Sequence, residues 1–354
     1  MLAVVGLVLV AGMISTWLAR RLFAEPIRAI VSDLRQVENF TFDRLERHPS
    51  RLTEMDQLSH ALAQMATGLA SFGRYLPVSL VRNLVREGIE AEPGGSIRSV
   101  TIMFVDIAGF TGLSERVGAE IVPVISAYLD AVSRAIENEG GTVDKFIGDG
   151  VMAFWGAPST DEEHAYHACR GAVAALAAAA ECGVKDDYGK PLRLRIGLNS
   201  GDALIGNIGS ATRLNYTAIG DVVNVASRLE GANKLYGTSI MMGEGTRRAS
   251  GERIVAREID RVTVVGRVQG GVVFELIGIA EENGAADAAW IGLYEAGLAK
   301  YRARRWVEAI EDFEAVLAVR KTDGPSELLV GRCREFTRHE PPDMWEALTL
   351  LNEK

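Results

Sequence analysis

Two aspartates end apolar stretches of the sequence, and both are candidates for metal-dependent chemistry. Residues 99–106 read SVTIMFVD, which predicts a buried central strand that ends in the carboxylate of Asp106. Two further apolar runs flank Gly148-Asp149-Gly150, which predicts a tight hairpin with Asp149 at its tip. Neighbouring strands would bring the two carboxylates to one edge of a sheet. Paired carboxylates with an open side bind Mg²⁺ or Mn²⁺ and leave coordination positions for phosphate oxygens.

The alternative for both aspartates is the role of a solvated turn residue, which is common for Asp between strands. The apolar strand before each of them favours the metal site instead. No histidine belongs to the cluster, which argues against zinc.

Two other segments have residue types that handle phosphate. Residues 109–112 predict a turn into a helix, where the backbone N–H groups of Phe110 and Thr111 are candidates for binding phosphate oxygens. Farther along, Asn224 and Arg228 are four residues apart and share one face of a predicted helix. This pair suits hydrogen bonding and charge stabilisation of a phosphoryl group in transfer. A surface salt bridge is the alternative for Arg228.

Four motifs occur in order: FVDIAGFT, KFIGDGVMAFW, GLNSGDALIGNIG and YTAIGDVVNVASRLE. Together they closely resemble the catalytic domain of class III nucleotidyl cyclases, over residues 97–279. The resemblance implies an α/β (α+β) fold, the ferredoxin-like palm, in which two domains pair head to tail with active sites at their interface. It also implies the activity of an adenylate cyclase, which converts ATP to 3',5'-cyclic AMP and pyrophosphate.

The same resemblance implies a role for each candidate residue. Asp106 and Asp149, assisted by the carbonyl of Ile107, would hold two Mg²⁺ or Mn²⁺ ions per active site. Asn224 would orient the ribose, and Arg228 would stabilise the transition state from the partner subunit. A single chain should therefore be inactive.

Lys145 and Thr217 are the expected base-selecting residues. Lys can donate to an adenine ring nitrogen and Thr can accept from the exocyclic amine, whereas guanine readers in this family usually have Glu and Cys. We therefore expect ATP as substrate; a guanylyl cyclase or an inactive cyclase-like dimeric scaffold is the alternative. Relatives often have Lys-Gly-Lys where residues 264–267 read Val-Val-Gly-Arg. Val265 cannot bind a triphosphate, so Arg267 is the candidate for that contact.

The composition limits the class of protein. The 354 residues are 48% hydrophobic and 24% charged, which excludes a collagenous or wholly disordered chain. A net charge of -9 argues against a nucleic-acid partner, because phosphate neutralisation needs a cationic surface. The negative charge lies mainly in residues 91–284, so we expect this part to need divalent metal before it can hold a nucleoside triphosphate. Three widely spaced cysteines support neither a disulfide framework nor a zinc site.

The N-terminus predicts a membrane anchor. Residues 1–19 contain no charged side chain and approach the length of about 20 residues that crosses a bilayer. Arg20 and Arg21 follow, which favours a cytoplasmic location for everything after them. A secretory signal peptide is the alternative, but it would need a basic region before the apolar run. We expect a single-pass protein of the inner (cell) membrane with a cytoplasmic catalytic domain.

Residues 20–73 show heptad spacing in two stretches. Apolar residues follow a/d spacing at Ile27, Ile30, Leu34 and Val37, and again at Met55, Leu58, Leu62, Met65, Leu69, Phe72 and Leu76. Two ordinary amphipathic helices are the alternative. The pattern resembles a HAMP domain, the parallel four-helix relay of bacterial membrane receptors, and predicts dimerisation through a coiled coil. Residues 74–96 are the expected linker or signalling helix.

The C-terminal residues 288–354 predict a helical tail. Gly297, Ala309 and Phe313 match the spacing of a tetratricopeptide-like helix pair, and a plain helical hairpin is the alternative. One repeat cannot bury its own apolar face, so the tail must pack on the catalytic domain, on another copy or on a protein partner.

Overall fold

In a computed structural model the chain divides into two compact units, Met1–Glu92 and Pro93–Lys354. The structure describes residues 1–38, 48, 50, 52–73, 92–183, 192–210, 212–264, 270–281 and 288–351.

The first unit is helical. Its elements are α1 (Leu2–Ala19), a π-helical turn (Arg20–Ala24), α2 (Glu25–Glu38) and α3 (Thr53–Phe72). One continuous helix, Val4–Glu38, is long and apolar enough to cross a membrane, with a mean hydropathy of 1.5 over its most apolar window. This property follows from the length and composition of the helix.

The two heptad stretches form α2 and α3, which contact each other in this unit. Ile30 and Leu62 are buried, whereas Ile27, Leu34 and Met65 of the same stretches are exposed. His48 connects the helices, because its Nε2 lies 3.0 Å from Asp33 Oδ2 of α2 and its backbone N–H donates to Ser59 Oγ of α3 at 3.0 Å. Within the single chain the predicted apolar stripe is therefore only partly covered. Leu76 and most of the predicted linker lie outside the described residues.

The second unit is built on one mixed sheet. Its strands are β1 (Gly94–Ile107), β2 (Thr142–Ile147), β3 (Gly150–Trp155), β4 (Leu194–Ser210), β5 (Arg213–Ile219), β6 (Ile240–Gly243), β7 (Ile254–Val264), β8 (Gly271–Ile279) and β9 (Leu348–Leu351). Its helices are α4 (Phe110–Val117), α5 (Ile121–Asn138), α6 (His164–Glu181), α7 (Asp221–Tyr236), α8 (Glu244–Ser250), α9 (Ala288–Arg302), α10 (Trp306–Arg320) and α11 (Gly324–Arg338).

The sheet confirms the predicted ferredoxin-like palm. Its strand order is β2-β3-β1-β4-β6-β8-β7-β9, with β5 paired to β4 off this path. The run β1-α5-β2-β3-α6-β4, with strands ordered β4-β1-β3-β2, is the βαββαβ arrangement. Strand β1 lies at its centre, which explains why its sequence is almost continuously apolar.

Each face of the palm is covered by helices. On one face, α5 and α6 pack Tyr128, Val132 and Ala172 on strand residues such as Met103. On the other face, Val222 and Ala226 of α7 pack on β1, β3 and β4. The helix predicted to hold Asn224 and Arg228 is thus fixed to the same strands that end at the aspartates.

The stretches 192–200 and 202–208 predict a pair of strands from their sequence, and the structure corrects this prediction. These residues form the single strand β4, which pairs with β1 without interruption from Leu194 to Asn207. The Ser-Gly-Asp sequence at 200–202 is typical of a turn, but Gly201 is part of the extended strand and lies beneath Val222. The actual turn follows Ser210, where β5 folds back on β4.

The C-terminal tail packs on the palm. Its aromatic residues Trp290, Tyr294 and Phe313 share one core with Leu229 and Tyr236 of α7. The tail is mostly helical, as predicted, but ends in β9, which pairs in parallel with β7 and extends the sheet. The sequence predicted no strand there, because four residues of a short edge strand carry little periodicity.

Candidate active site

Asp106 and Asp149 lie side by side at one end of the palm. Strands β1 and β3 pair from Thr101↔Trp155 to Val105↔Val151, so Asp106 continues β1 next to the β2–β3 turn. Gly148 allows that tight turn because its φ of 64° is left-handed. Asp149 Oδ2 accepts from the backbone N–H of Ile107 at 3.4 Å. The sequence-predicted residues Asp106, Ile107 and Asp149 are thus brought together.

The proximity of Asp106 changes the protonation of Asp149. Burial, and then the negative charge of Asp106, raise the pKa of Asp149 to about 6. The phenol of Tyr128 is also close enough to both aspartates for their charges to add to the effect of burial, which raises its pKa far above the ordinary value. The site therefore has an excess of negative charge that attracts cations.

Arg195, which was not predicted as a site residue, supplies one of those cations. It is the register partner of Asp106 on β4, and the two side chains form an ion pair. Its Nε also lies 3.1 Å from Oε1 of Glu230 on α7, as an ion pair without the alignment of a hydrogen bond. Glu230 reaches this position because Gly197 lets α7 approach β4; a Cβ there would lie 2.3 Å from the Glu230 nitrogen.

Lys145 and Thr217 form a second group, which also includes Asp144. Lys145 Nζ donates to Thr217 Oγ1 at 3.2 Å, and Thr217 Oγ1 donates to Asp144 Oδ2 at 2.5 Å. Lys145 Nζ is 3.4 Å from Asp144 Oδ1. The two predicted base-selecting residues are therefore in contact, although 72 positions separate them in the chain. Asp144 was not predicted.

Asn224 and Arg228 form a third group on α7. Asn224 is exposed and Arg228 is half-buried, one helical turn farther along. Below them Ala226 and Leu229 are buried, so the helix is anchored while this face stays accessible.

The predicted phosphate-binding turn is partly described. Gly109 has a left-handed φ of 80° and is the N-cap of α4, so the chain turns into a helix as predicted. Phe110 is half-buried and packs on the core formed by α5 and α6. The backbone of Thr111 lies in the first turn of α4. Arg267 lies outside the described residues.

The residues at the carboxylate pair suit a divalent metal ion. Two carboxylates are the oxygen ligands that Mg²⁺ and Mn²⁺ prefer. Burial and the neighbouring charge of Asp106 raise the pKa of Asp149, so a cation at this carboxylate would stabilise its ionised form. Among the described residues no cluster of three or more His, Cys, Asp or Glu suits a metal ion. Asp106 and Asp149 would therefore share the ion with oxygens that are not side-chain carboxylates.

A sequence signal existed for Arg195 but not for Asp144. Arg195 is a charged residue in the otherwise apolar run Leu194–Leu198 of β4, so its side chain needs a partner next to the sheet. Asp144 directly precedes Lys145, and the side chains of neighbouring residues on a regular strand point to opposite faces of the sheet. Only the structure shows the irregular pairing between Val143 and Lys145 that overrides this alternation.

The comparisons with known proteins agree with the fold. Residues 93–276 match the family described as adenylate and guanylate cyclase catalytic domain. Adenylate cyclase 1 of Rhizobium meliloti is 32% identical over 294 residues, which are 81% of this chain and 44% of that protein. An adenylate cyclase of Anabaena cylindrica is 30% identical over 290 residues, which are 75% of this chain and 56% of that protein. The chain thus spans about half the length of these relatives.

A solved structure of a bacterial light-regulated adenylyl cyclase shares the fold, with a TM-score of 0.56 and 24% sequence identity. The match covers 68% of this chain and 69% of that one. Because the family match extends over more than half of the sequence and includes the strands and helices that hold all three residue groups, the chain belongs to the family of adenylate and guanylate cyclase catalytic domains.

Proposed function

We propose that this protein is an adenylyl cyclase, a lyase that converts ATP to 3',5'-cyclic AMP and pyrophosphate, and that it acts as a membrane-anchored homodimer. The observation that carries the proposal is the contact between Lys145 and Thr217. An ammonium donor beside a hydroxyl acceptor complements the ring nitrogen and the exocyclic amine of adenine, whereas guanine presents the opposite pattern.

The nucleotide's polyphosphate would lie at the carboxylate pair. Asp106, Asp149 and the Ile107 carbonyl would hold two Mg²⁺ or Mn²⁺ ions, which supply Lewis acidity and screen the charge that develops on the phosphate oxygens. The N–H groups of Phe110 and Thr111 at the start of α4 are suited to donate to phosphate oxygens. Arg267 is the candidate for a further phosphate contact.

The residues on α7 would act on the reacting part of the substrate. Asn224 has an amide that can hydrogen-bond the ribose and orient its 3'-hydroxyl toward the α-phosphorus. Arg228 can stabilise the negative charge that grows there as pyrophosphate leaves. In the proposed head-to-tail dimer these two residues come from the partner of the chain that supplies the aspartates.

A row of exposed apolar residues supports the dimer. Ile97 of β1 pairs with Leu204 of β4, which pairs with Ile219 of β5, and their exposed fractions are 75%, 38% and 48%. Phe146 and Ile147 of β2 are also more than half exposed. Large apolar side chains that lie next to one another on a sheet surface are typical of a protein interface. The partly covered stripe on α2 and α3 suits a second copy in the same way, as a HAMP-like coiled coil would provide.

The helix Val4–Glu38 supports the membrane anchor. Arg20 and Arg21 at the end of its apolar part are suited to the cytoplasmic interface, where they would leave the catalytic domain in the cytoplasm.

The test is cyclic nucleotide production by the full chain from ATP and from GTP with Mn²⁺. We expect cyclic AMP as the main product of the wild type and a loss of activity of at least about a hundredfold in Asp106→Ala. Asp130→Ala is the matched control, because Asp130 pairs with Arg134 on the exposed surface of α5. Cyclic GMP as the main product would assign a guanylyl cyclase. No product from either nucleotide would indicate an inactive scaffold, and equal activity in Asp106→Ala would refute the metal assignment.

A further inference from the structure

We infer that Asp144 is a specificity-determining positioning residue, which fixes the Thr217 hydroxyl as a hydrogen-bond acceptor for the base. The inference rests on the proposed function and concerns how the site tells adenine from guanine. Asp144 would not touch the nucleotide and would act only through Thr217.

An irregularity in strand β2 lets Asp144 reach Thr217. Strand β2 pairs regularly with β3 except between Val143 and Lys145, where Asp144 is an extra residue. Such a β-bulge changes the direction of neighbouring side chains, and bulges are common next to active sites. On a regular strand the side chains of Asp144 and Lys145 would point to opposite faces. Here both side chains contact Thr217.

The Asp144 carboxyl is buried and surrounded by hydrogen-bond donors. Its side chain is 1% exposed, so an ionised carboxylate needs donors around it. Three are present: the Thr217 hydroxyl, the Lys145 ammonium and the backbone N–H of Ala218. A cation and a backbone N–H can only donate, so the carboxylate oxygens are acceptors at this site. Burial raises the pKa of Asp144 above its ordinary value, and these donors offset part of that rise by stabilising the ionised form.

The contacts with Asp144 and Lys145 use most of the hydrogen-bonding capacity of the Thr217 hydroxyl. A hydroxyl has one proton and two lone pairs. The proton goes to Asp144, and one lone pair accepts from Lys145. What remains for a bound base is a lone pair, which can accept from the amine of adenine but opposes the O6 carbonyl of guanine. A threonine without Asp144 could rotate its hydroxyl and serve either base.

The decisive variant is Asp144→Asn, which keeps the shape and removes the charge. Lys145 and the Ala218 N–H would still face the carboxamide oxygen, so its NH₂ group would face Thr217 and donate to it. The Thr217 proton would then be free to point at the base. We expect the ATP:GTP ratio of kcat/KM to fall by about tenfold, mainly through a higher KM for ATP. Lys145 still disfavours guanine, so the preference weakens without inverting.

A double-mutant cycle separates positioning from a general structural effect. In a Thr217→Val background there is no hydroxyl to orient, so Asp144→Asn should leave the ATP:GTP ratio unchanged. In a Thr217→Ser background the hydroxyl is retained, and the fall should return. Asp130→Asn on the surface of α5 is the matched charge control and should not alter the ratio.

The outcomes are distinguishable from a failure of the proposed function. If wild type makes no cyclic AMP, the proposed function fails. If wild type is active and Asp144→Asn keeps its ATP:GTP ratio, or lowers it equally in the Thr217→Val background, the role of Asp144 is refuted. Should Asp144→Asn fail to fold, as judged by circular dichroism, Asp144→Ser is the second variant. Its smaller hydroxyl can donate or accept, and the same fall in the ratio is expected.

Discussion

Asp106 and Arg195 are register partners on the neighbouring strands β1 and β4, and their side chains form an ion pair beside Asp149. Arg195 also contacts Glu230, whose side chain is 2% exposed. One guanidinium therefore balances the charge of a candidate metal ligand and of a buried carboxylate, and it links the strands that hold the aspartates to the helix that holds Asn224 and Arg228.

Replacing Arg195 by Gln should destabilise the protein. Glu230 would remain buried without its cation, and breaking a buried ion pair costs about 3 kcal/mol. We expect this loss in the free energy of unfolding, measured by urea denaturation. Arg134→Gln is the control, because its pair with Asp130 is mostly exposed and should contribute less than about 1 kcal/mol. A stability of Arg195→Gln equal to that of the control would contradict the bridging role.

The raised pKa of Asp149 predicts a pH dependence. In the metal-free protein the folded state holds this proton up to a pKa of about 6, whereas the unfolded chain releases it near 3.8. The folded state thus binds more protons in this window, so the contribution of Asp149 to stability falls as pH rises from 3.8 to about 6. Asp149→Asn should remove this loss.

The same proton competes with metal. We expect Mn²⁺ to bind more tightly at a pH of about 7 than at a pH of about 5, with release of a proton below the pKa of Asp149. Calorimetric titration in two buffers of different ionisation enthalpy measures that proton. The surface variant Asp130→Asn should keep the wild-type pH dependence. If Asp149→Asn kept it as well, the proton would belong to another group.

The Asp323–Arg257 pair predicts that the tail contributes to the stability of the palm. Asp323, at the N-cap of α11, accepts two hydrogen bonds from Arg257 of β7, at 2.9 and 2.6 Å, and both side chains are almost fully buried. Burial would raise the pKa of Asp323, but the hydrogen bonds from Arg257 and Ser326 outweigh it and hold the pKa below its ordinary value. A lowered pKa adds stability above the unfolded pKa of 3.8, and this is lost as pH falls below it.

Asp323→Asn should therefore lower the free energy of unfolding by about 3 kcal/mol at neutral pH and reduce the sensitivity of stability to acid. Thermal unfolding followed by circular dichroism at several pH values measures both effects. Glu308→Gln is the control, since Glu308 pairs with Arg305 on the exposed surface of the same tail. An Asp323→Asn protein with the unfolding midpoint of Glu308→Gln would show that the tail folds independently of this contact.

The sequence predicted those parts of the molecule that depend on local pattern. The apolar run ending at Asp106 and the glycines around Asp149 define a strand end and a tight turn, and the structure has both. Interactions between distant segments were missed. Arg195 contacts Asp106 because of the register between β4 and β1. Asp144 contacts Thr217 because of a one-residue irregularity in β2. The spacing of residues along a single segment encodes neither contact.

The boundaries of strands were missed for a related reason. Gly201 and Asp202 are typical turn residues, but β1 offers pairing partners on both sides of them, so β4 continues through. Strand β9 forms only because β7 has a free edge next to the returning tail. In both cases a tertiary partner decides the local structure, as is usual for β-strands.

A shared active site predicts that two inactive variants complement each other. Asp106→Ala removes a metal ligand, and Arg228→Ala removes the proposed transition-state cation from α7. If each site takes Asp106 from one chain and Arg228 from the other, a mixed dimer has one intact site and one site that lacks both. With random pairing half of the dimers are mixed, so coexpression of the two full chains should restore about a quarter of the wild-type activity. Cyclic AMP production by membranes from these cells is the measurement.

The control is coexpression of Asp106→Ala with Asp149→Ala, since both changes affect the same half of the site and no pairing restores it. No recovery in the test mixture would mean that each chain builds its site alone. Recovery in the control would mean that the two aspartates of one site come from different chains.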